Sequence, residues 1–551
     1  MRVRIRLAGV LFVACAFAAA ASAQAPPQEE SPAQKIEKLF ERWDRSSSPG
    51  CAVGVARNGL VVFSQGYGMA SLEYGVRIRP DTIFESGSVA KQFTAAAIQL
   101  LAQDGKLSID DPVRKYVPEL PDFGTPILIR HLLNHTSGLR SQWPLLTLAG
   151  RPPGMAVHTV NEILELVSRQ KELNFKPGDE YLYNNTAFTL LGVIVQRVSG
   201  KPLAEFTRDR IFKPLGMTST QWRDDFTKIV EGRATAYRQQ PDGSFRTYMP
   251  FTNVVGNGGL LTTVGDLLIW NENLDLPRVG GRALADQLQT RGRLNDGFEI
   301  EYAQGLFVGQ YRGVREVSNG GSTAGYQTFL GRLPAQRLSV AVLCNVTTGQ
   351  PERLAHQIAD IYLADALQPV PTVTAADVPA EKLMKLEGVY RDRATDAVVR
   401  LAYDEKQKVL RATVQVLVPT SGSEFVSADW SSTLKVEGQP GINARLVERP
   451  VNAKPRTWEL ERPYEPTPTQ LAEFADDYVS DELSVTYTFY VDAGKLKLRF
   501  IPAQRQELQP AFADGFTVEG NTFRFTRDAA GKVDGLRVST GRVRHLRFNR
   551  R

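Results

Sequence analysis

Apolar positions recur along this chain with two different periods, and the change from one to the other divides it. Ile36, Leu39, Phe40 and Trp43 fall at i, i+3, i+4 and i+7, one stripe of a helix opened by Ser31-Pro32. Residues 51–56 and 60–65 are strand-like runs on either side of Asn58-Gly59, a dipeptide that favours a tight hairpin turn. Helical spacing returns over 88–103, where Phe93, Ala96, Ala97, Leu100 and Leu101 share a face and Gly105 is the stop. Residues 161–168, 188–198 and 263–274 carry the same period. Strand signals reappear at 325–330 and 338–344, and 354–367 reads as a closing helix. Strands at both ends of a helical middle predict one α/β domain over 31–367, with an antiparallel sheet built from its first and last segments and flanked by helices.

Residues 368–379 are rich in Pro, Val and Ala and read as a linker. Beyond them the period becomes two. Short alternating runs at 397–403, 409–416, 485–491 and 496–501, separated by turn residues, predict an all-β, barrel-like C-terminal region. A faint repeat relates Leu386-Glu387-Gly388-Val389-Tyr390 to Phe474-Ala475-Asp476-Asp477-Tyr478. It divides the region into two small β units, 380–449 and 468–551, and the linker predicts that they fold separately from the α/β domain. A length of 551 residues fits several cores rather than one.

The N-terminus stands outside this pattern. Arg2, Arg4 and Arg6 precede an apolar run over 7–20 and the small residues Ala21-Ser22-Ala23, which reads as a signal peptide over 1–23, cleaved before Gln24. The mature chain is then expected in the periplasm or secreted. The run is shorter than the roughly 20 residues of a membrane span, and none is expected elsewhere. Three of the six net positive charges leave with the signal. The remainder gives no nucleic-acid signature, and Arg542, Arg544, Arg547, Arg550 and Arg551 read as a solvated strand face. Cys51 and Cys344 alone remain after cleavage. Each lies in an apolar run, so free thiols are expected, with a single disulfide as the alternative in an oxidising compartment. His131 and His135 have zinc-ligand spacing, but the intervening residues are Leu, Leu and Asn, without the Glu of H-E-x-x-H. No metal or cofactor is expected.

Three short segments carry candidate chemistry. Ser88-Val89-Ala90-Lys91 places a hydroxyl and an amine on one helical face, and a neutral lysine can serve as base to a serine nucleophile. Tyr183-Asn184-Asn185 follows Pro177-Gly178, and in an extended stretch Tyr183 and Asn185 would point to the same side. Asn319-Gly320-Gly321-Ser322 would let a substrate approach the backbone and supply an oxyanion-hole N–H together with Ser88. Taken singly, each has an ordinary reading: a helix cap, a buried tyrosine, a turn.

Together, S-x-x-K, then Y-x-N about 95 residues on, then a glycine-rich strand resemble the serine β-lactamase and penicillin-binding-protein class. Phe84–Lys91, His131–Leu139, Phe175-Lys176-Pro177-Gly178, Gly258-Gly259-Leu260 and Leu343-Cys344-Asn345 resemble its class C β-lactamase-like branch, which holds β-lactamases, D-alanyl-D-alanine carboxypeptidases, D-aminopeptidases and esterases. The resemblance covers about Ile36 to Ala364. It implies a serine hydrolase that acts through an acyl-enzyme on an ester, amide or peptide, with a small-molecule or peptide substrate as its partner. Ser88 would be the nucleophile, Lys91 the general base and Tyr183 the proton shuttle. Asn185, Asn319, Gly320, Gly321 and Ser322 would meet substrate. The C-terminal region resembles the β-barrels appended to D-aminopeptidases. The third motif departs from the branch, which has His or Lys where this chain has Asn319. The missing cation predicts weaker carboxylate recognition and a less depressed Lys91. It also supports a second reading, a catalytically weak or silent sensor or cell-wall-binding protein. The oligomeric state is left open.

Overall fold

The computed structural model describes residues 30–551 apart from 371–373, 414, 429–431, 451–452 and 502–503. The expected signal peptide lies outside them.

Helix α1 (Pro32–Phe40) starts where the sequence marks it. The Ser31 hydroxyl accepts from the Gln34 amide, Gln34 reaches back to Ser31, and Pro32 occupies the first turn. Strands β1 (Cys51–Arg57) and β2 (Leu60–Tyr67) form the hairpin around Asn58-Gly59, both of positive φ. Helices α2 (Lys91–Gln103), α3 (Asn185–Ser199) and α4 (Val264–Asp275) fill the middle of the chain. Strands β3 (Phe307–Tyr311), β4 (Val314–Thr323), β5 (Tyr326–Leu333) and β6 (Leu338–Cys344) and helix α5 (Pro351–Leu363) complete the domain. The six-stranded sheet runs β3-β4-β5-β6-β1-β2, antiparallel throughout, so the first and last segments do meet.

Strand alternation sorts the core into two layers. Cys51, Val53 and Val55 face α1 and α5, where Ile36, Phe40, Leu354 and Ile358 are buried. Ala52 and Ala56 face the helical middle. One sequence expectation holds here and one changes. Asn319–Ser322 is the glycine-rich strand that the motifs together imply, part of β4, not the turn that its residues suggest singly, and the turn that follows is Ala324-Gly325. Cys51 and Cys344 are not free thiols. They are directly opposite each other on β1 and β6, with Cα atoms 4.0 Å apart, and form a disulfide. A sheet that joins first and last strands makes neighbours of residues 293 positions apart in the chain.

The repeat in the C-terminal region is real in three dimensions. Each unit opens with a short helix, Ala380–Met384 or Pro468–Phe474, followed by a strand carrying a buried tyrosine. The Tyr390 hydroxyl donates to the Leu386 carbonyl at 2.9 Å, and the Tyr478 hydroxyl donates to that of Phe474 at 3.1 Å. The first unit is a closed eight-stranded barrel from Gly388–Arg391 to Arg456–Leu460. Its expected boundary at 449 falls inside the barrel, because the last strand is the one that pairs with the first. The second unit is a nine-stranded antiparallel sheet from Asp476–Ser480 to Val543–Arg550.

The two units dock differently. The first barrel has its own core, around Tyr390, Leu401, Phe425 and Leu446. The second shares one continuous core with the α/β domain, so it does not stand apart as the linker suggested. Arg140, 0% exposed, pairs with Glu482 at 2.6 Å across that interface. The Tyr487 hydroxyl donates to the Leu148 carbonyl at 2.6 Å. The terminal arginines are a solvated face only in part: Arg542, Arg547 and Arg551 are exposed, but Arg544 pairs with Glu180 at 2.9 Å and Arg547 with Glu172 at 2.6 Å. Among the described residues no helix is long and apolar enough to cross a membrane.

Candidate active site

Ser88 stands on a single 3-10 turn, Gly87–Ala90, that runs into α2, and the regular helix begins only at Lys91. The turn is held from three sides. Before it, Phe84–Glu85 is a short strand against Leu260–Thr262, and the Ser86 amide donates to the Leu260 carbonyl at 2.8 Å. Buried Glu85 anchors that strand through Arg223, whose Nε and Nη2 donate to its two oxygens at 2.8 and 2.9 Å. Beside the turn, Gly87 has φ +52°, and a Cβ there would lie 2.6 Å from the Ser322 amide nitrogen. Only glycine lets the Ser88 turn lie this close to β4. Behind it, both amide hydrogens of Asn319 are used, donating to the carbonyls of Ser88 at 3.0 Å and Gly305 at 2.9 Å. Asn319 is 2% exposed. Its side chain clamps the back of the turn, whereas the sequence suggested a substrate contact.

Lys91 is fully buried at the centre. Its Nζ lies 3.0 Å from Ser88 Oγ, 2.9 Å from Asn185 Oδ1 and 2.5 Å from the Asn257 carbonyl. A neutral amine has two hydrogens and one lone pair. Two of these neighbours, Asn185 Oδ1 and the Asn257 carbonyl, can only accept. With the hydrogens on them, the lone pair is left for the Ser88 hydroxyl. Burial holds the Lys91 pKa well below the ordinary lysine value, and the charge of Arg542 lowers it further. Lys91 is thus depressed without a cation in the third motif.

Tyr183 and Asn185 come together by a route the sequence did not indicate. Tyr183 ends a loop, the Asn184 side chain caps α3 by accepting from the Ala187 amide, and Asn185 is the first residue of the helix. This turn, not an extended strand, aims both side chains at Lys91. Tyr183 lies with its ring centroid 4.9 Å from Lys91 Nζ. Burial pushes its hydroxyl up to about 12, against smaller opposing effects of Ser88 and Arg542, so it holds its proton at neutral pH. His135 packs on the Tyr183 ring at 4.3 Å, and its Nδ1 accepts from the Asn184 amide at 3.2 Å. His131 accepts from the Leu128 amide through Nδ1 at 3.2 Å, and burial pushes its pKa down to about 4. The two histidines thus serve separate structural contacts. Among the described residues no group of three or more His, Cys, Asp or Glu is placed to hold a metal ion.

Ser88 and Asn185 sit where two cavities meet. One of about 260 Å³ runs between Trp143, Met249 and Phe251. The other, of about 1350 Å³, is lined by Tyr183, Gly320, Gly321, Ser322 and Arg542 and extends to His356. Arg542 comes from the second β unit, more than 350 positions beyond Tyr183 in the chain. Its guanidinium carbon is 4.9 Å from the Tyr183 ring centroid. No local signal marks it, because only the docking of the two domains brings it to the site. The pairing of Glu85 with Arg223 was equally hidden.

Residues 36–364 match the Beta-lactamase family. The chain is 25% identical over 529 residues to a D-aminopeptidase of Brucella anthropi, spanning 91% of this chain and 95% of that one. It is 29% identical over 528 residues to a D-aminopeptidase of Brucella canis, spanning 91% and 96%. Its fold is similar to that of the octameric penicillin-binding protein homologue from Pyrococcus abyssi, with a TM-score of 0.55 at 24% identity over 85% of this chain and 98% of that one. The family match spans Ser88, the helix that carries Lys91, the Tyr183 turn and the strand behind them. This chain belongs to the Beta-lactamase family and is a serine hydrolase.

Proposed function

We propose that the enzyme cleaves an amide or peptide bond next to a D-amino acid, and the corresponding esters, through an acyl-enzyme on Ser88. The observation that carries this is the Lys91 amine, 3.0 Å from Ser88 Oγ with its other two contacts taken by acceptors. Lys91 removes the Ser88 proton as Oγ attacks the substrate carbonyl. The resulting oxyanion lies against the amides of Ser88 and Ser322, donors of a kind worth about 10²–10³ in rate each. Tyr183 passes a proton to the departing amine, and the Lys91 proton restores Tyr183. Water then attacks the acyl group, giving up its proton as Ser88 regains one. The D-aminopeptidase names of the relatives support the substrate class.

The silent-sensor reading rested on Asn319 alone, and the Lys91–Ser88 contact and the D-aminopeptidase relatives support an active enzyme over it. We place the enzyme outside the cytoplasm, a reading supported by the Cys51–Cys344 disulfide. The test of function is turnover of D-alaninamide, with covalent labelling by a fluorophosphonate. Ser88→Ala is expected to abolish both, and full turnover in that variant overturns the assignment.

A further inference from the structure

The tip of the last hairpin, between strands Val533–Thr540 and Val543–Arg550, enters the catalytic cleft. Its backbone is tied down by the α/β domain. The Arg542 carbonyl accepts from the Ser141 amide at 3.3 Å and from Asn174 Nδ2 at 3.2 Å. The Arg544 amide donates to Asn174 Oδ1 at 2.8 Å, and Arg140 donates to the Arg544 carbonyl at 3.0 Å. The Arg542 side chain takes no part in this. It lies over Tyr183, and among the described residues no carboxylate pairs with it. Glu301, Glu316 and Glu352 line the same cavity, but none is within ion-pair distance, and Glu316 is engaged by His356 at 2.9 Å. Its charge acts on two neighbouring basic side chains, Lys91 and His135. An arginine whose backbone is fixed at the cleft, and whose exposed side chain has no anion of its own among the described residues, is placed to meet an anion that arrives with a ligand.

Its position says which end of the ligand. Tyr183 is the group that hands a proton to the departing fragment, and Arg542 lies against the ring of Tyr183. We propose that Arg542 is a specificity-determining residue that binds a free carboxylate on the leaving-group side of the substrate. The enzyme then prefers substrates whose departing fragment ends in a carboxylate, as the C-terminal residue of a short peptide does. The cation absent from the third motif, where Asn319 stands, is supplied instead by the second β unit. This inference rests on the roles given above to Ser88 and Tyr183.

The test compares two esters that differ by one group, phenyl acetate and 3-carboxyphenyl acetate, on wild type, Arg542→Gln and Arg542→Lys. Fluorophosphonate labelling of each reports on Ser88 separately. The wild type is expected to favour the carboxylate-bearing ester in kcat/KM. Arg542→Gln is expected to lose about 10- to 100-fold on that ester, the range for a hydrogen bond to a charged group, with a much smaller change on phenyl acetate. It should also move the acid limb of kcat/KM to higher pH, because a charge near Lys91 is gone. Arg542→Lys should recover much of both. A wild type that labels normally but shows no carboxylate preference overturns this inference and leaves the Ser88 reading intact. So does an equal loss on both esters in Arg542→Gln. A wild type that fails to label at Ser88 overturns the reading beneath it.

Discussion

The two β units follow one plan and have been put to different uses. Both open with a short helix, and both anchor the first strand through a tyrosine hydroxyl bonded four residues back. The first closes on itself around a private core and touches the α/β domain through side chains such as Lys454, which pairs with Asp296 at 2.5 Å. The second opens its apolar surface onto the α/β domain, shares its core and sends a hairpin into the cleft. A duplicated fold thus becomes part of an active site by giving up its independence, and the energetic signature is burial of charge. Arg140 and Glu482 are both nearly inaccessible to solvent, whereas Lys454 and Asp296 are about one third and more than half exposed.

The largest expected effect is at that buried pair. Arg140→Ala leaves Glu482 buried and unpaired, which costs about 3–5 kcal/mol. It should lower the denaturation midpoint and, by loosening the hairpin, reduce turnover. Lys454→Ala removes an ion pair from the other interface and should change neither. Equal effects of the two would erase the distinction between the units.

A second variant separates stability from docking. Cys51→Ser with Cys344→Ser removes a crosslink that lies wholly within the α/β domain. The expected loss is about 2–5 kcal/mol. Because the disulfide joins β1 to β6, whereas the hairpin is held by Ser141 and Asn174, the ratio of activities on charged and neutral esters should stay at its wild-type value. A changed ratio would mean that domain stability, not the hairpin's position, sets specificity.

The smallest effects come from single hydroxyls. Tyr487→Phe loses the bond to the Leu148 carbonyl and Tyr390→Phe the bond to Leu386, each worth about 1 kcal/mol. Only the first bond crosses to the α/β domain. Denaturation curves should shift in both variants, and turnover should fall measurably only in Tyr487→Phe. A comparable fall in Tyr390→Phe would tie the first barrel to the site as well.

What the sequence revealed follows the range of each interaction. Ser31, Pro32 and Gln34 act within one turn, so the start of α1 could be read from them. Ser88 and Lys91 are three apart on consecutive turns, and their contact is the one the spacing implies. Tyr183 and Asn185 were found by motif, but their convergence depends on a helix start that an extended reading missed. Asn319 was marked for its chemistry and misjudged in orientation, since the residue type does not say that both its hydrogens meet backbone carbonyls. The disulfide was hinted at by two cysteines on strands of one sheet, but register is a property of pairing, not of either strand. Arg542 had no local signal. A run of arginines looks the same on a solvated strand as on one facing Glu172 and Glu180.

The central claim is a neutral Lys91 activating Ser88, and the most direct measurement is the second-order rate of fluorophosphonate labelling against pH, with the modified peptide mapped by mass spectrometry. Neutral Lys91 is the reactive form, and burial with Arg542 nearby lowers its pKa from the ordinary 10.5. The rate should therefore rise through a pKa well below that value, level off before the ordinary lysine range is reached, and place one adduct on Ser88. A rate that keeps rising up to that ordinary lysine value, or an adduct on any other residue, would contradict the account.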